Sequence, residues 1–151
     1  MVQQKHVLAI ASGGGHWQQL MRLRTAFEGQ RTSFVTTNAA YALDVPGHDL
    51  SVVTDANRNH PLKMLRLALE MLFQVLKARP DMIISTGAAP GILAIFFGRL
   101  IGARTIWIDS IANAEQLSLS GRIALRVAHT ALTQWPHLAK APGPEYHGSI
   151  L

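Results

Sequence analysis

The feature that most constrains this chain is a set of short runs that are apolar almost without interruption. HVLAIA (6–11), DMIIST (81–86) and RTIWIDS (104–110) each precede a longer segment of helical spacing. A strand with one wet face must alternate apolar and polar residues. A continuous apolar run therefore means a strand covered on both faces, as in a parallel sheet flanked by helices. The same spacing predicts strands at TSFVTT (32–37), at DLSVVT (49–54) and, last in the chain, at TALTQW (130–135). Helices are expected from His16 to a stop at Gly29, from His60 to Pro80, from Pro90 to Ala103 and from Ser118 to Ala128. Pro61 suits a first helical turn, and Ser118 and Ser120 suit caps. The expectation is an α/β fold: a Rossmann-like parallel sheet covered by helices on both faces. Its 151 residues fit one domain, 1–151, and the Pro/Gly-rich tail APGPEYHGSIL reads as the domain's end.

Composition narrows the chemistry. With no cysteine, disulfides and zinc–thiolate sites are excluded, and a reducing compartment fits. A net charge of +5 serves solubility, or attraction to anionic lipid or to phosphate-bearing ligands. Nucleic acid is a weaker fit, since no Lys/Arg run or basic helix face appears. No apolar stretch reaches the roughly 20 residues of a spanning helix, so any membrane contact is expected to be peripheral.

Two glycine-rich loops fall at strand–helix junctions. SGGGHWQ follows the first strand and STGAAPG follows the fourth. Such a loop aims backbone N–H groups at an anion, and the helix dipole adds to the field. The loop is not a dinucleotide fingerprint, because after Gly13 and Gly15 the third glycine position holds Gln18. The second strand ends in Thr36, Thr37 and Asn38 rather than in a ribose-binding acid. A Walker A loop is excluded by the missing Gly-Lys-Ser/Thr. In a doubly wound sheet the first and fourth strands are neighbours, and ligands bind in the crevice between them. His16, Ser85, Thr86, Asp109 and Ser110 would then face one crevice. The plainer alternatives are a turn histidine bonded to backbone for His16 and a helix-capping acid for Asp109.

The long helix raises a separate question. Lys63, Arg66, Glu70, Gln74 and Lys77 share one stripe about 80° wide at 100° per residue, and nearly everything else is apolar, including Leu65, Leu69, Leu72 and Phe73. Such a helix is either packed between neighbours or laid in a membrane interface.

Together SGGGHWQQL, the run from IISTGAAPG through WIDSIANAEQLSLSGRIA, and LTQWPHLAK resemble the asparagine-linked-glycosylation subunit-fourteen family. Its PssD- and CpsF-type exopolysaccharide relatives look closer still. The resemblance implies the N-terminal, acceptor-binding half of a GT-B glycosyltransferase, similar to the first half of MurG. It also implies a separate partner chain, the UDP-sugar-binding half, so that no cofactor is held by this chain. The two-chain enzyme would move N-acetylglucosamine or glucuronic acid onto a polyprenyl-diphosphate-linked acceptor at the cytoplasmic membrane face, with inversion. On that basis Ser12, Gly13, Gly14, Gly15, Thr86 and Gly87 are expected to hold the acceptor diphosphate, and no metal is expected. His16 is the first candidate base and Asp109 the second; Leu65, Leu69, Leu72 and Phe73 are expected to meet the membrane. The competing expectations are a small nucleotide-binding protein and a non-catalytic scaffold that recruits a transferase.

Overall fold

The structure, a computed structural model, describes residues 3–150. Seven strands form one sheet: β1 (His6–Ile10), β2 (Arg31–Thr36), β3 (Asp49–Val52), β4 (Met82–Ser85), β5 (Arg104–Ile108), β6 (Thr130–Thr133) and β7 (Glu145–Tyr146). Their order is β3-β2-β1-β4-β5-β6-β7, and every neighbouring pair is parallel. The chain leaves β1 toward one edge and returns at β4 toward the other. The β1/β4 junction is thus the switch point where doubly wound sheets bind ligands.

Continuous apolarity gives each strand two buried faces. Along β1, Leu8 and Ile10 point into one core with Val35, Ile83 and Trp107, whereas Val7 and Ala9 point into the other with Phe34, Ile84 and Ile108. The first core is covered by three helices: α2 (Pro61–Ala78), α3 (Ala88–Leu100) and α4 (Leu119–Val127). The second is covered by α1 (Gly15–Leu23), whose Trp17 and Leu20 are fully buried, with Phe27 from one short 3-10 turn and Val45 just after another. Burying one such large apolar side chain contributes about 1.5–3 kcal/mol.

Helix α3 approaches the sheet closely because it carries glycine where it crosses β4. A Cβ on Gly98 would overlap the Ile83 side chain, and one on Gly91 would overlap Ser85 Oγ. Helix α2 begins at Pro61, whose missing N–H costs nothing there, and ends at Arg79 in the left-handed region before Pro80. Its Glu70 accepts from Thr54 N–H and Oγ–H and from Arg66, which ties α2 to the segment after β3. Partial burial works against ionisation of Glu70, but the bonds from Thr54 and Arg66 outweigh it and hold its pKa below the ordinary value.

Several expectations are corrected. TALTQW is not the last strand, because β7 pairs beyond it within the tail read as a domain end. Beyond β7, Ile150 N–H donates to buried Gln134, and Ile150 C=O accepts from Arg22. The first helix stops at Leu23 and tightens into a 3-10 turn, Arg24–Phe27. The expected helical cover on both faces is present, three helices on one and a single short helix plus turns on the other.

Candidate active site

The two glycine loops meet over the switch point and are stitched together. The Thr86 hydroxyl donates to the His16 carbonyl at 2.6 Å, and His16 Nδ1 donates back to the Thr86 carbonyl at 3.1 Å. A carbonyl only accepts, so the second bond puts the neutral ring's proton on Nδ1. Nε2 then carries a free lone pair, and it makes no hydrogen bond among the described residues. That is the tautomer a general base requires, and it is fixed by backbone.

Backbone conformation supports the same reading. Gly14 caps α1 at φ 68°, and Gly87 caps α3 at φ 145°. A side chain on Gly87 would run into the His16 ring, so glycine there makes room for the imidazole. Ala88 has φ 69°, which costs an L residue about 1–2 kcal/mol. Strain of this kind collects at functional loops. Gly14 and Gly15 are exposed at the mouth of the crevice, at the electropositive end of α1.

Not every residue expected here faces the crevice. Ser85 is fully buried and its Oγ accepts from Gly87 N–H. Ser110 is buried, accepting from Gln19 and from Ala112 N–H. Asp109 is 2% exposed and accepts four hydrogen bonds, from Trp107 Nε1, Asn113 Nδ2, Ser118 N–H and Ser118 Oγ. Both its oxygens are committed to the turn that launches α4, where Ser118 in turn caps the helix through Gly121 N–H. Thr86 is likewise fully buried with its hydroxyl spent on the His16 carbonyl, and Gly87 is buried with its N–H on Ser85, so neither offers the expected free donor to an acceptor diphosphate. The five-residue crevice therefore reduces to His16, with Gly14 and Gly15 exposed beside it.

Sequence reasoning passed over Tyr41. It lies in a 3-10 turn, Ala39–Asp44, after β2. Its hydroxyl accepts from Gly14 N–H at 2.8 Å, so one amide assigned to an anion already has a partner. The buried pair Gln19 and Gln134 was also passed over; they bond to each other and to the backbone just after β5, at the Asp109 carbonyl and the Ile111 N–H, joining α1 to the segments that follow β5 and β6. Tyr41 belongs to no apolar run or glycine motif, and Gln19 and Gln134, although inside SGGGHWQQL and TALTQW, pair across 115 residues, a contact no local pattern encodes. Among the described residues, no group of three or more His, Asp or Glu side chains is placed to hold a metal.

With this geometry in view, the comparisons with known proteins are specific. The family described as "Oligosaccharide biosynthesis protein Alg14 like" matches residues 51–150. The chain belongs to this Alg14-like family. Two fungal members are named UDP-N-acetylglucosamine transferase subunit ALG14. That of Yarrowia lipolytica is 38% identical over 82 residues, covering 50% of this chain and 38% of the fungal one. That of Eremothecium gossypii is 23% identical over 168 residues, covering 90% of this chain and 75% of its own. Among solved structures, MurG of Acinetobacter baumannii superposes with TM-score 0.75 at 16% identity, over 96% of this chain and 45% of MurG. The UDP-N-acetylglucosamine 2-epimerase of Rickettsia bellii gives TM-score 0.73 at 15% identity, over 98% and 46%. The Alg14-like chain thus has the fold of a GT-B N-terminal domain and spans less than half the length of either protein.

Proposed function

We propose that this chain is the acceptor-binding subunit of a two-chain glycosyltransferase that moves a sugar from a UDP-sugar to a polyprenyl-diphosphate-linked acceptor. The observation that carries the reading is the stitched pair of glycine loops at the switch point, with a base-competent imidazole, on a chain that accounts for one half of a GT-B architecture. A second chain, the UDP-sugar-binding half, supplies the donor and the leaving-group site. The exopolysaccharide type, with N-acetylglucosamine or glucuronic acid transferred, is favoured by the sequence resemblance.

The chemistry follows from the crevice. The acceptor diphosphate sits on the exposed N–H groups at the start of α1, where dipole and backbone donors favour an anion. The acceptor hydroxyl approaches His16 Nε2. Its oxygen attacks the anomeric carbon as the bond to the UDP oxygen breaks, and its proton passes to Nε2. The Thr86 carbonyl, bonded to Nδ1–H, stabilises the imidazolium so formed. Attack opposite the leaving group inverts the centre.

The test is reconstitution. Transfer of labelled sugar to the lipid-linked acceptor should need both chains and should vanish with either alone. Full transfer by this chain unaided, or none by the assembly, would overturn the proposal. Gly14→Val should abolish acceptor binding, because Gly14 sits at φ 68° and a branched side chain there also crowds the anion. Unchanged acceptor affinity would remove the cradle from the mechanism.

The same reading places the protein on a membrane surface. No helix among the described residues is long and apolar enough to cross one. Instead, α2 buries Leu67, Met71 and Val75 and exposes an outward ridge. Leu62 is 82% exposed, Leu65 59%, Leu69 61%, Phe73 61% and Leu76 49%. Leu72 turns partly inward and is no part of this ridge. Lys63, Arg66 and Lys77 flank it, as suits anionic headgroups. Leu65→Glu with Leu69→Glu should cut binding to anionic vesicles by about tenfold or more. Unfolding should be unaffected, because both side chains already face solvent. Undiminished sedimentation with vesicles would exclude the ridge as the contact.

A further inference from the structure

We infer that Tyr41 is a phosphate-binding residue of the acceptor crevice, passing the donor capacity of the Gly14 amide outward through its own hydroxyl; this rests on the diphosphate reading of the glycine loop. Tyr41 Oη is the acceptor for Gly14 N–H at 2.8 Å. The phenol proton must then point elsewhere, and it has no acceptor among the described residues. An amide donor is thereby exchanged for a hydroxyl donor at the mouth of the loop. An anionic oxygen is the natural partner, since bonds to a charged acceptor are the strong ones.

The ring is held so that its hydroxyl stays in place. It stacks on Trp17 at 4.7 Å with an interplanar angle of 9°. Trp17 is itself buried, and its Nε1 donates to Asp44 at 2.7 Å, at the end of the turn that carries Tyr41. The other end of that turn is capped by Asn38, which accepts from Ala40 N–H. Pinned at both ends, the turn offers a fixed hydroxyl rather than a loose plug.

A second observation, independent of the helix terminus, points to a ligand here. Thr36 Oγ1 is fully buried and has no hydrogen-bond partner. Thr36 ends β2 on the same face as Phe34, which packs edge-on against Trp17. Buried hydroxyls are nearly always paired, so an orphan at the end of β2, the strand that leads into the Tyr41 turn, leaves a polar group there unsatisfied. Thr37 Oγ1 lies close by: a Cβ on Gly13 would stand 3.6 Å from Tyr41 Oη and 3.9 Å from Thr37 Oγ1. Residues 36–43 carry no acid, and Asp44 is engaged by Trp17. A ribose diol would want a carboxylate at this strand end; a row of hydroxyls suits an anion.

The experiment titrates the full chain with inorganic pyrophosphate and with farnesyl diphosphate, alongside thermal unfolding. Tyr41→Phe keeps the stack on Trp17 and removes only the hydroxyl. It should weaken both probes about tenfold, the effect of one hydrogen bond to a charged oxygen, with unchanged unfolding temperature. Gly14→Val serves as the control for the loop. If wild type and Tyr41→Phe bind equally, or the variant binds more tightly, the inference fails while the diphosphate reading stands. If the wild-type chain binds neither probe, the reading and the inference fail together.

Discussion

Alanine in place of His16 should lower transfer by the assembled enzyme about 10²- to 10⁴-fold, the range for loss of a positioned base. The unfolding free energy should change by about 1 kcal/mol or less. Both halves of this expectation come from one bond pattern. Nδ1 is spent on the Thr86 carbonyl, which leaves Nε2 as the only ring atom free for chemistry. The other half of the stitch, Thr86 Oγ to the His16 carbonyl, uses backbone and survives the substitution. The loops should therefore stay joined when the ring is gone. Added imidazole should restore part of the activity, because the space beside Gly87 remains open to a ring. Activity within a few-fold of wild type would demote His16 to a stitching residue. A fall matched by loss of folded protein would do the same.

What could be read before the structure was the framework. Continuous apolar runs give away β1, β4 and β5, because a strand with both faces buried has no polar position. The two glycine loops placed themselves at strand ends, and doubly wound topology then put them side by side. The failures have a common physical origin. Strand β7 is two exposed residues, Glu145 and Tyr146, held by backbone pairing alone, so no hydrophobic pattern announces it. Tyr41 works through one hydroxyl on a backbone amide 27 residues away, a contact no local period encodes. Helix α2 was legible as apolar on too many sides, but composition did not say which side faced outward. Its outward ridge emerges only once Leu67, Met71 and Val75 are seated on the sheet. Asp109 is the most instructive case. A carboxylate after a strand at a ligand-binding edge looks like chemistry, and its true partners, Asn113 and Ser118, are 4 and 9 residues further on.

Asp109 accordingly yields the opposite prediction to His16: a loss of stability in place of a loss of chemistry. Alanine at 109 should destabilise the chain by about 3–5 kcal/mol in urea unfolding, since hydrogen bonds to a charged group are worth more than neutral ones and buried donors left unpaired cost more still. The stranded groups would be Trp107 Nε1 within the core and the Ser118 amide at the start of α4. Against a total stability of about 5–15 kcal/mol, that loss multiplies the unfolded-to-folded ratio by about 10²- to 10⁴-fold. Asparagine should cost less, about 1–3 kcal/mol, because one oxygen still accepts while the new NH₂ faces a donor. The deciding measurement is transfer per folded molecule. If Asp109→Asn keeps most of its activity once corrected for folded fraction, the residue is the keystone of the β5–α4 turn. An asparagine variant that folds with wild-type stability yet transfers no sugar would restore Asp109 as the base and displace His16 from that role.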